Sequence, residues 1–259
     1  MKPFYRSILY AAIAGVPLWV ATQANATPMV LTLSVTDLNN ATNDSTSVFC
    51  DTTSAACTAA GGTVSNGGLG PNNIVVLSGI QAGISFTGEI SSSSVGLLTG
   101  QLDTTATTVK NTSGDTYVLT ASLVGMNFNG PASQVSLSGS GTLSTTSGTG
   151  GSFAALTYNY FDDPTNSSTP GAGQEVGTYT NPAFTNSSDS FSYNFAGALV
   201  TPDTGLYAMS ETWSYTLGPN EELLSRGLTE TKTAPEPASL FILGAGLAGL
   251  GMIRRRRCS

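Results

Sequence analysis

The sequence contains no histidine, and only 10% of its 259 residues are charged. Without histidine, the Ser-His-Asp and Cys-His arrangements of hydrolases and all histidine metal sites are excluded. An S-x-x-K motif is also absent at Lys110, because Thr107 stands where the serine is needed. Paired carboxylates could still cleave glycosides, but no particular pair stands out among 16 acidic residues. We therefore expect a noncatalytic protein without a cofactor.

Positive charge is scarce between the two ends of the chain. Residues 27–237 contain Lys110, Arg226 and Lys232 as their only basic residues and all 16 acidic residues, which is a formal charge of −13. An acidic surface of this kind repels nucleic acid and anionic membranes, so neither is an expected partner of this region. Such a surface either attracts divalent cations or is simply solvated.

The N-terminal segment has the three parts of a secretory signal peptide. A short basic start precedes the mostly apolar run Ile8–Val20, and Ala24 and Ala26 form a small-x-small pattern before Thr27. This pattern predicts a signal peptide over residues 1–26 that is removed by cleavage after Ala26. An uncleaved N-terminal membrane anchor is the alternative.

The C-terminal segment predicts a membrane helix with a fixed orientation. The motif Pro235-Glu236-Pro237 precedes the apolar run Leu240–Ile253. Four consecutive basic residues follow the run: Arg254, Arg255, Arg256 and Arg257. A helix over Ala238–Ile253 would be about 24 Å long, slightly short of a bilayer core of about 30 Å. The positive-inside rule keeps the arginines in the cytoplasm, and their position argues against the alternative of a buried helix in a soluble domain.

The motif, the apolar helix and the arginine cluster together resemble a PEP-CTERM sorting signal. The resemblance covers Ala234–Ser259 and departs from the usual pattern at Ala234, where valine is common, and at Cys258-Ser259 after the arginines. It implies that exosortase, a membrane transpeptidase-like protease, is a partner and cleaves near the motif. It also implies an exported, inner-membrane-anchored precursor that reaches the cell surface or matrix of an exopolysaccharide-producing bacterium. It implies nothing about residues 27–233.

Residues 27–233 show the alternation of apolar and polar side chains that is typical of strands with one buried face. We expect an all-β fold, an antiparallel β-sandwich or jelly-roll-like body; a β-solenoid is the alternative, although no repeat period is present. The segment Glu221–Ser225 is the best candidate for a short helix. Strands are predicted around Leu31–Val35, Ile74–Leu77, Ile84–Ile90, Tyr117–Leu123, Val135–Leu143, Ala154–Phe161, Phe191–Phe195, Leu206–Met209 and Trp213–Leu217. Loops are predicted over Gly61–Asn73, Ser144–Ser152 and Asp162–Gly173.

Two cysteines lie close together in the part of the chain that is expected to be exported. Export into an oxidising compartment favours a disulfide between Cys50 and Cys57. A zinc site is not expected from two cysteines without histidine. Cys258 follows the arginine cluster and should stay in the cytoplasm.

Oxygen-bearing side chains cluster in one turn-like stretch, at Asn159, Asp162, Asp163 and Asn166. Carboxylate and amide oxygens are the ligands that calcium prefers, so Asp162 and Asp163 are calcium candidates. The spacing differs from the EF-hand pattern, and a solvated loop is the alternative.

Aromatic residues raise a choice between two functions. Tyr193, Trp213 and Tyr215 could form a platform on which sugar rings stack, or they could pack in the core. The first class of function is a noncatalytic surface or matrix protein associated with exopolysaccharide. The second is a carbohydrate-binding or carbohydrate-cleaving domain. Exposed aromatic rings beside a groove with two carboxylates would favour the second class, and burial of the rings would favour the first.

Overall fold

The described part of the chain covers most of the expected exported body. The computed structural model describes residues 28–69, 72–76, 84–94, 99–145, 156–182 and 187–232. The predicted signal peptide, the sorting motif and the C-terminal membrane helix lie outside these residues. Within the described ranges, no helix is long and apolar enough to cross a membrane.

The described residues form thirteen strands, one 3₁₀ turn and one short helix. The strands are β1 (Met29–Asp37), β2 (Ser45–Cys50), β3 (Thr63–Val64), β4 (Asn73–Val76), β5 (Ile84–Ser94), β6 (Thr99–Asn111), β7 (Tyr117–Asn129), β8 (Ala132–Thr145), β9 (Leu156–Asp163), β10 (Gln174–Asn181), β11 (Ser188–Asp203), β12 (Leu206–Leu217) and β13 (Glu221–Lys232). The 3₁₀ turn is Ala41–Asn43 and the helix α1 is Ala55–Ala59.

The strands form two sheets that face each other across one main hydrophobic core. The order of the seven-stranded sheet is β10-β9-β12-β7-β1-β2-β3, and that of the six-stranded sheet is β11-β8-β13-β6-β5-β4. Neighbouring strands are antiparallel except for the pair β2 and β3. The predicted all-β, sandwich-like class is therefore confirmed.

Strand β1 shows why this sequence folds as it does. Leu31, Leu33 and Val35 are at most 1% exposed, whereas Thr32 and Ser34 between them are partly exposed. Successive side chains of a strand point to opposite faces, so each apolar residue enters the core and each hydroxyl faces outward. The same alternation on the facing sheet supplies the other half of the core.

The helix predicted over Glu221–Ser225 is wrong, because these residues begin strand β13. Leu223 is fully buried and the adjacent Leu224 is 47% exposed, which is the period of a strand. Strand β13 pairs with β6 on one side and β8 on the other. Hydrogen bonding along both edges in the middle of a sheet outweighs the local preference of a Glu-Glu-Leu-Leu segment for helix.

Strand β6 was not predicted, because two of its inward positions carry threonine rather than a large apolar residue. Thr104 and Thr107 are buried, and each hydroxyl bonds to the backbone of β13. Thr107 Oγ1 lies 2.9 Å from the carbonyl oxygen of Ser225, and the amide of Gly227 donates to Thr104 Oγ1 at 2.8 Å. These bonds satisfy polar groups that would otherwise be costly to bury.

Candidate functional site

Aromatic residues from each of the strands β9, β10, β11 and β12 pack together inside the sandwich. Trp213 and Tyr215 are each 3% exposed, and Tyr193 is partly buried against the core. The ring centroids of Tyr158 and Trp213 are 6.2 Å apart, and those of Tyr179 and Tyr193 are 4.5 Å apart. These three candidate platform residues therefore pack in the core. Among all aromatic side chains of the described ranges, only that of Phe195 is exposed.

Two glycines of β8 make room for this cluster. Tyr193 pairs with Gly139, and Phe191 pairs with Gly141, across the β11–β8 ladder. A Cβ added at Gly139 would lie 2.2 Å from the Tyr193 hydroxyl oxygen, and one added at Gly141 would lie 2.6 Å from a ring carbon of Phe191. Only a residue without a side chain lets these rings lie flat against the sheet. The Tyr193 hydroxyl also forms a hydrogen bond with that of Tyr160.

A carboxylate lies beside these tyrosines. Glu211 of β12 is 1% exposed and pairs with Tyr160 of β9. Burial, together with the negative charge of Glu211, raises the pKa of both Tyr160 and Tyr193, so both phenols stay neutral. The one signal in the sequence for this buried carboxylate is that an acidic residue, Glu211, occupies an inward position of a strand.

The outer face of the six-stranded sheet carries a shallow trough, whose lining combines serine and threonine side chains with Arg226 and the exposed Leu224. It consists of two adjoining clefts, of about 390 and 440 Å³, that share Ser140 and Arg226. Arg226 Nε donates to Ser140 Oγ at 3.2 Å. Burial raises the pKa of Asp103 at one end of the trough, and the Arg226 charge partly opposes this shift. The aromatic ring that contributes to the lining is Phe191, which is 6% exposed.

Asp163 belongs to a tightly bonded loop rather than to a converging set of ligands. Its carboxylate accepts hydrogen bonds from the Thr165 amide at 2.9 Å, from Thr165 Oγ1 at 2.7 Å and from the Ser167 amide at 2.9 Å. Burial opposes ionisation of Asp163, but these hydrogen bonds outweigh it and lower its pKa. Asn166 also turns away from a common site, because its amide group pairs with the backbone and side chain of Asn127.

Asp162, the other calcium candidate, instead lies against Asp203. Both carboxyl groups are 1% exposed, and none of their four oxygens accepts a hydrogen bond from a donor group. Burial, followed by the charge of Asp203, raises the pKa of Asp162; burial also raises the pKa of Asp203. Among the described residues, no group of three or more histidine, cysteine and acidic side chains is placed to hold a metal.

A second, smaller core on the outer face of the seven-stranded sheet contains the two cysteines. Cys50 ends β2 and Cys57 lies in α1; their sulfurs are bonded, and their Cα atoms are 6.0 Å apart. Both are buried beside Val30, Val124 and the neighbouring apolar side chains of this face. The bond fastens α1 to the sheet.

The chain thus combines an all-β sandwich with a C-terminal tail of the sorting type. Residues 233–257 match the family model described as the PEP-CTERM protein-sorting motif, so the predicted motif is confirmed. A search of curated proteins finds no match to the chain.

Several solved carbohydrate-binding modules are distantly similar to the body. TmCBM61, solved with β-1,4-galactotriose, has 12% identity and a TM-score of 0.29 over 49% of this chain and 71% of its own. Caldicellulosiruptor saccharolyticus CBM27-1, solved with mannohexaose, has 11% identity and a TM-score of 0.28 over 48% of this chain and 73% of its own. The non-crystalline cellulose-specific module CBM28 has 15% identity and a TM-score of 0.26 over 54% of this chain and 76% of its own. Scores at this level assign neither a ligand nor a binding residue.

Proposed function

We propose that this chain is an exported, noncatalytic protein of the cell surface or extracellular matrix, sorted by exosortase and associated with exopolysaccharide. The observation that carries the proposal is the PEP-CTERM motif at residues 233–257, attached to an acidic β-sandwich. The body is jelly-roll-like in this proposal. Strand order supports that, since from β7 to β13 every strand except β10 lies in the sheet opposite its predecessor.

Sorting would depend on three parts of the tail acting together. Moving the Arg254–Arg257 charges through hydrocarbon is costly, so the end of the tail stays in the cytoplasm and the apolar helix stops export. The motif is then held at the outer boundary of the inner membrane. Pro235 and Pro237 lack amide protons and disfavour helix, which keeps the motif extended and accessible to a protease.

The noncatalytic part of the proposal is supported by the contents of the body. The sequence has no histidine. The aromatic side chains singled out as a sugar platform are in the core, where they stabilise the sandwich and cannot stack on a ligand. A largely polar, acidic surface suits a protein that remains dissolved in a hydrated polysaccharide layer.

Cell fractionation tests the sorting part of the proposal. Glu236→Ala should leave the membrane anchor intact but block recognition, so an uncut precursor should accumulate in the inner membrane. Replacing Arg254–Arg257 with serine should weaken the stop and misplace the motif. Ser239→Ala is the matched control and should be processed like wild type. Processing that is unchanged in a host without exosortase would contradict the proposal.

A second function, carbohydrate binding, is favoured by one observation, the trough in which serine and threonine side chains surround Arg226. Hydroxyl and guanidinium groups can bond to sugars without a stacking platform. Binding of the exported protein to purified exopolysaccharide separates the two functions. Binding that Arg226→Ala abolishes, and that the control Lys110→Ala leaves unchanged, would favour the carbohydrate-binding alternative.

A further inference from the structure

The two unpartnered aspartates come from different sheets. Asp162 is the last inward-facing residue of β9, in the seven-stranded sheet, and Asp203 ends β11, in the six-stranded sheet. The residues are far apart in sequence, but their carboxyl groups lie close enough between the sheets to interact with each other. The pair therefore sits where the two halves of the sandwich meet.

Nothing in the described part of the protein balances these two carboxylates. Each side chain is 1% exposed, and all four oxygens are buried without a donor. The ion pair of the described residues, Lys110 with Glu222, involves neither aspartate. The nearby Tyr207 hydroxyl is already bonded to Thr231. Buried charges are normally paired, coordinate a metal ion or are neutralised by a proton, and the described side chains offer this pair no cationic partner.

We propose that Asp162 and Asp203 bind a divalent cation, Ca²⁺ in preference to Mg²⁺ or Zn²⁺, and that this ion ties the two sheets together. Two carboxylates supply up to four hard oxygen ligands, and water or backbone carbonyls can complete the six to eight that Ca²⁺ accepts. Mg²⁺ demands near-ideal octahedral geometry and loses its water reluctantly. Zn²⁺ prefers nitrogen and sulfur, but the chain has no histidine and Cys50 is bonded to Cys57.

The number of charged ligands also sets the affinity of the site for calcium. With only two carboxylates, the dissociation constant should lie near the range of extracellular calcium modules, about 10⁻⁴–10⁻³ M. Without a cation, one of the two carboxyl groups must keep its proton, because two ionised groups in contact repel each other. The competing outcome is therefore a shared proton and no bound ion. This inference does not depend on the surface role proposed above.

Thermal unfolding of the exported protein tests the proposal at neutral pH, in excess CaCl₂ and in EGTA. At a calcium concentration about 100 times the dissociation constant, linkage predicts a rise of roughly 5–10 °C in the unfolding midpoint. The rise should be absent in Asp162→Asn and in Asp203→Asn. Glu175→Gln is the matched control, since it removes an exposed carboxylate from the adjacent strand β10, and it should show the full rise. The same concentration of MgCl₂ should give a smaller rise.

A direct binding measurement keeps the test decisive if an asparagine variant does not fold. Equilibrium dialysis of wild type over a range of calcium concentrations around the expected dissociation constant should find binding that saturates at one calcium ion per chain. Terbium bound in its place should be excited by Tyr207, which lies close enough for both aspartate charges to affect it. That luminescence should fall in Tyr207→Phe, which keeps both ligands. No bound ion in wild type, or an unchanged calcium response in Asp162→Asn and Asp203→Asn, would overturn the proposal.

Discussion

The packing of Tyr193 over Gly139 yields the sharpest test of how the core is built. We expect Gly139→Ala to destabilise the protein, although the substitution adds only one methyl group. The new Cβ would lie 2.2 Å from the Tyr193 hydroxyl oxygen and 2.3 Å from the adjacent ring carbon. Because the clash involves the ring as well as its hydroxyl group, the whole side chain must move.

The size of the effect follows from what Tyr193 loses when it moves. Overpacking a core of this kind costs about 1–3 kcal/mol. Displacement of the ring also breaks the hydrogen bond to Tyr160, a further cost of about 1 kcal/mol. We therefore expect the free energy of unfolding to fall by about 2–4 kcal/mol, which corresponds to a midpoint roughly 4–16 °C lower for a domain of this size.

Urea unfolding, followed by circular dichroism, would measure this change against a matched control. Gly114→Ala adds the same methyl group where nothing lies within 4 Å, so its stability should stay within about 0.5 kcal/mol of wild type. The double variant with Tyr193→Ala should be at least about 1 kcal/mol more stable than the sum of the single effects predicts. Equal stability of the two glycine variants, or strictly additive effects, would refute the packing argument.

Three further predictions concern the exported form. Its intact mass should correspond to a chain that begins at Thr27, and a species that retains residues 1–26 would contradict the predicted cleavage. Removing the disulfide with Cys50→Ala and Cys57→Ala should lower the free energy of unfolding by about 2–3 kcal/mol in the chain-entropy model. Wild type in reductant should have the same stability as the variant. Free thiols in freshly exported protein would argue against the disulfide. Above pH 10 the tyrosines of the unfolded chain ionise, whereas the buried tyrosines of the folded state keep their protons. The free energy of unfolding is therefore unaffected by these groups below pH 10. Above pH 10 it should fall by roughly 1.4 kcal/mol per pH unit for each buried tyrosine. Burial raises the pKa of these tyrosines: Tyr158, Tyr160, Tyr193, Tyr207 and Tyr215. Tyrosinate absorbance and loss of the β-sheet signal should appear together, and tyrosinate formation near pH 10 in a still-folded protein would be inconsistent with burial.

Local sequence signals were sufficient to predict the features that depend on a single continuous segment. The sorting motif is contiguous, so its residues and their order could be read directly. The alternation in Leu31–Val35 and in Trp213–Leu217 predicted strands, because the two-residue period is a property of the extended backbone itself. The same period placed Trp213 and Tyr215 on one face of the strand, and the structure shows that this face is buried.

Only the tertiary structure decided which distant residues meet. Asp162 is adjacent to Asp163 in sequence, yet its carboxyl group contacts Asp203, because two strands of opposite sheets end at the same place. Strand β13 was misread as helix because its pairing partners, β6 and β8, lie far away along the chain. Sequence alone was therefore sufficient to identify the sorting motif, the all-β class and the faces of the clearest strands. Strand pairing, a long-range property, decided how buried polar groups are satisfied and which carboxylates are left without a partner.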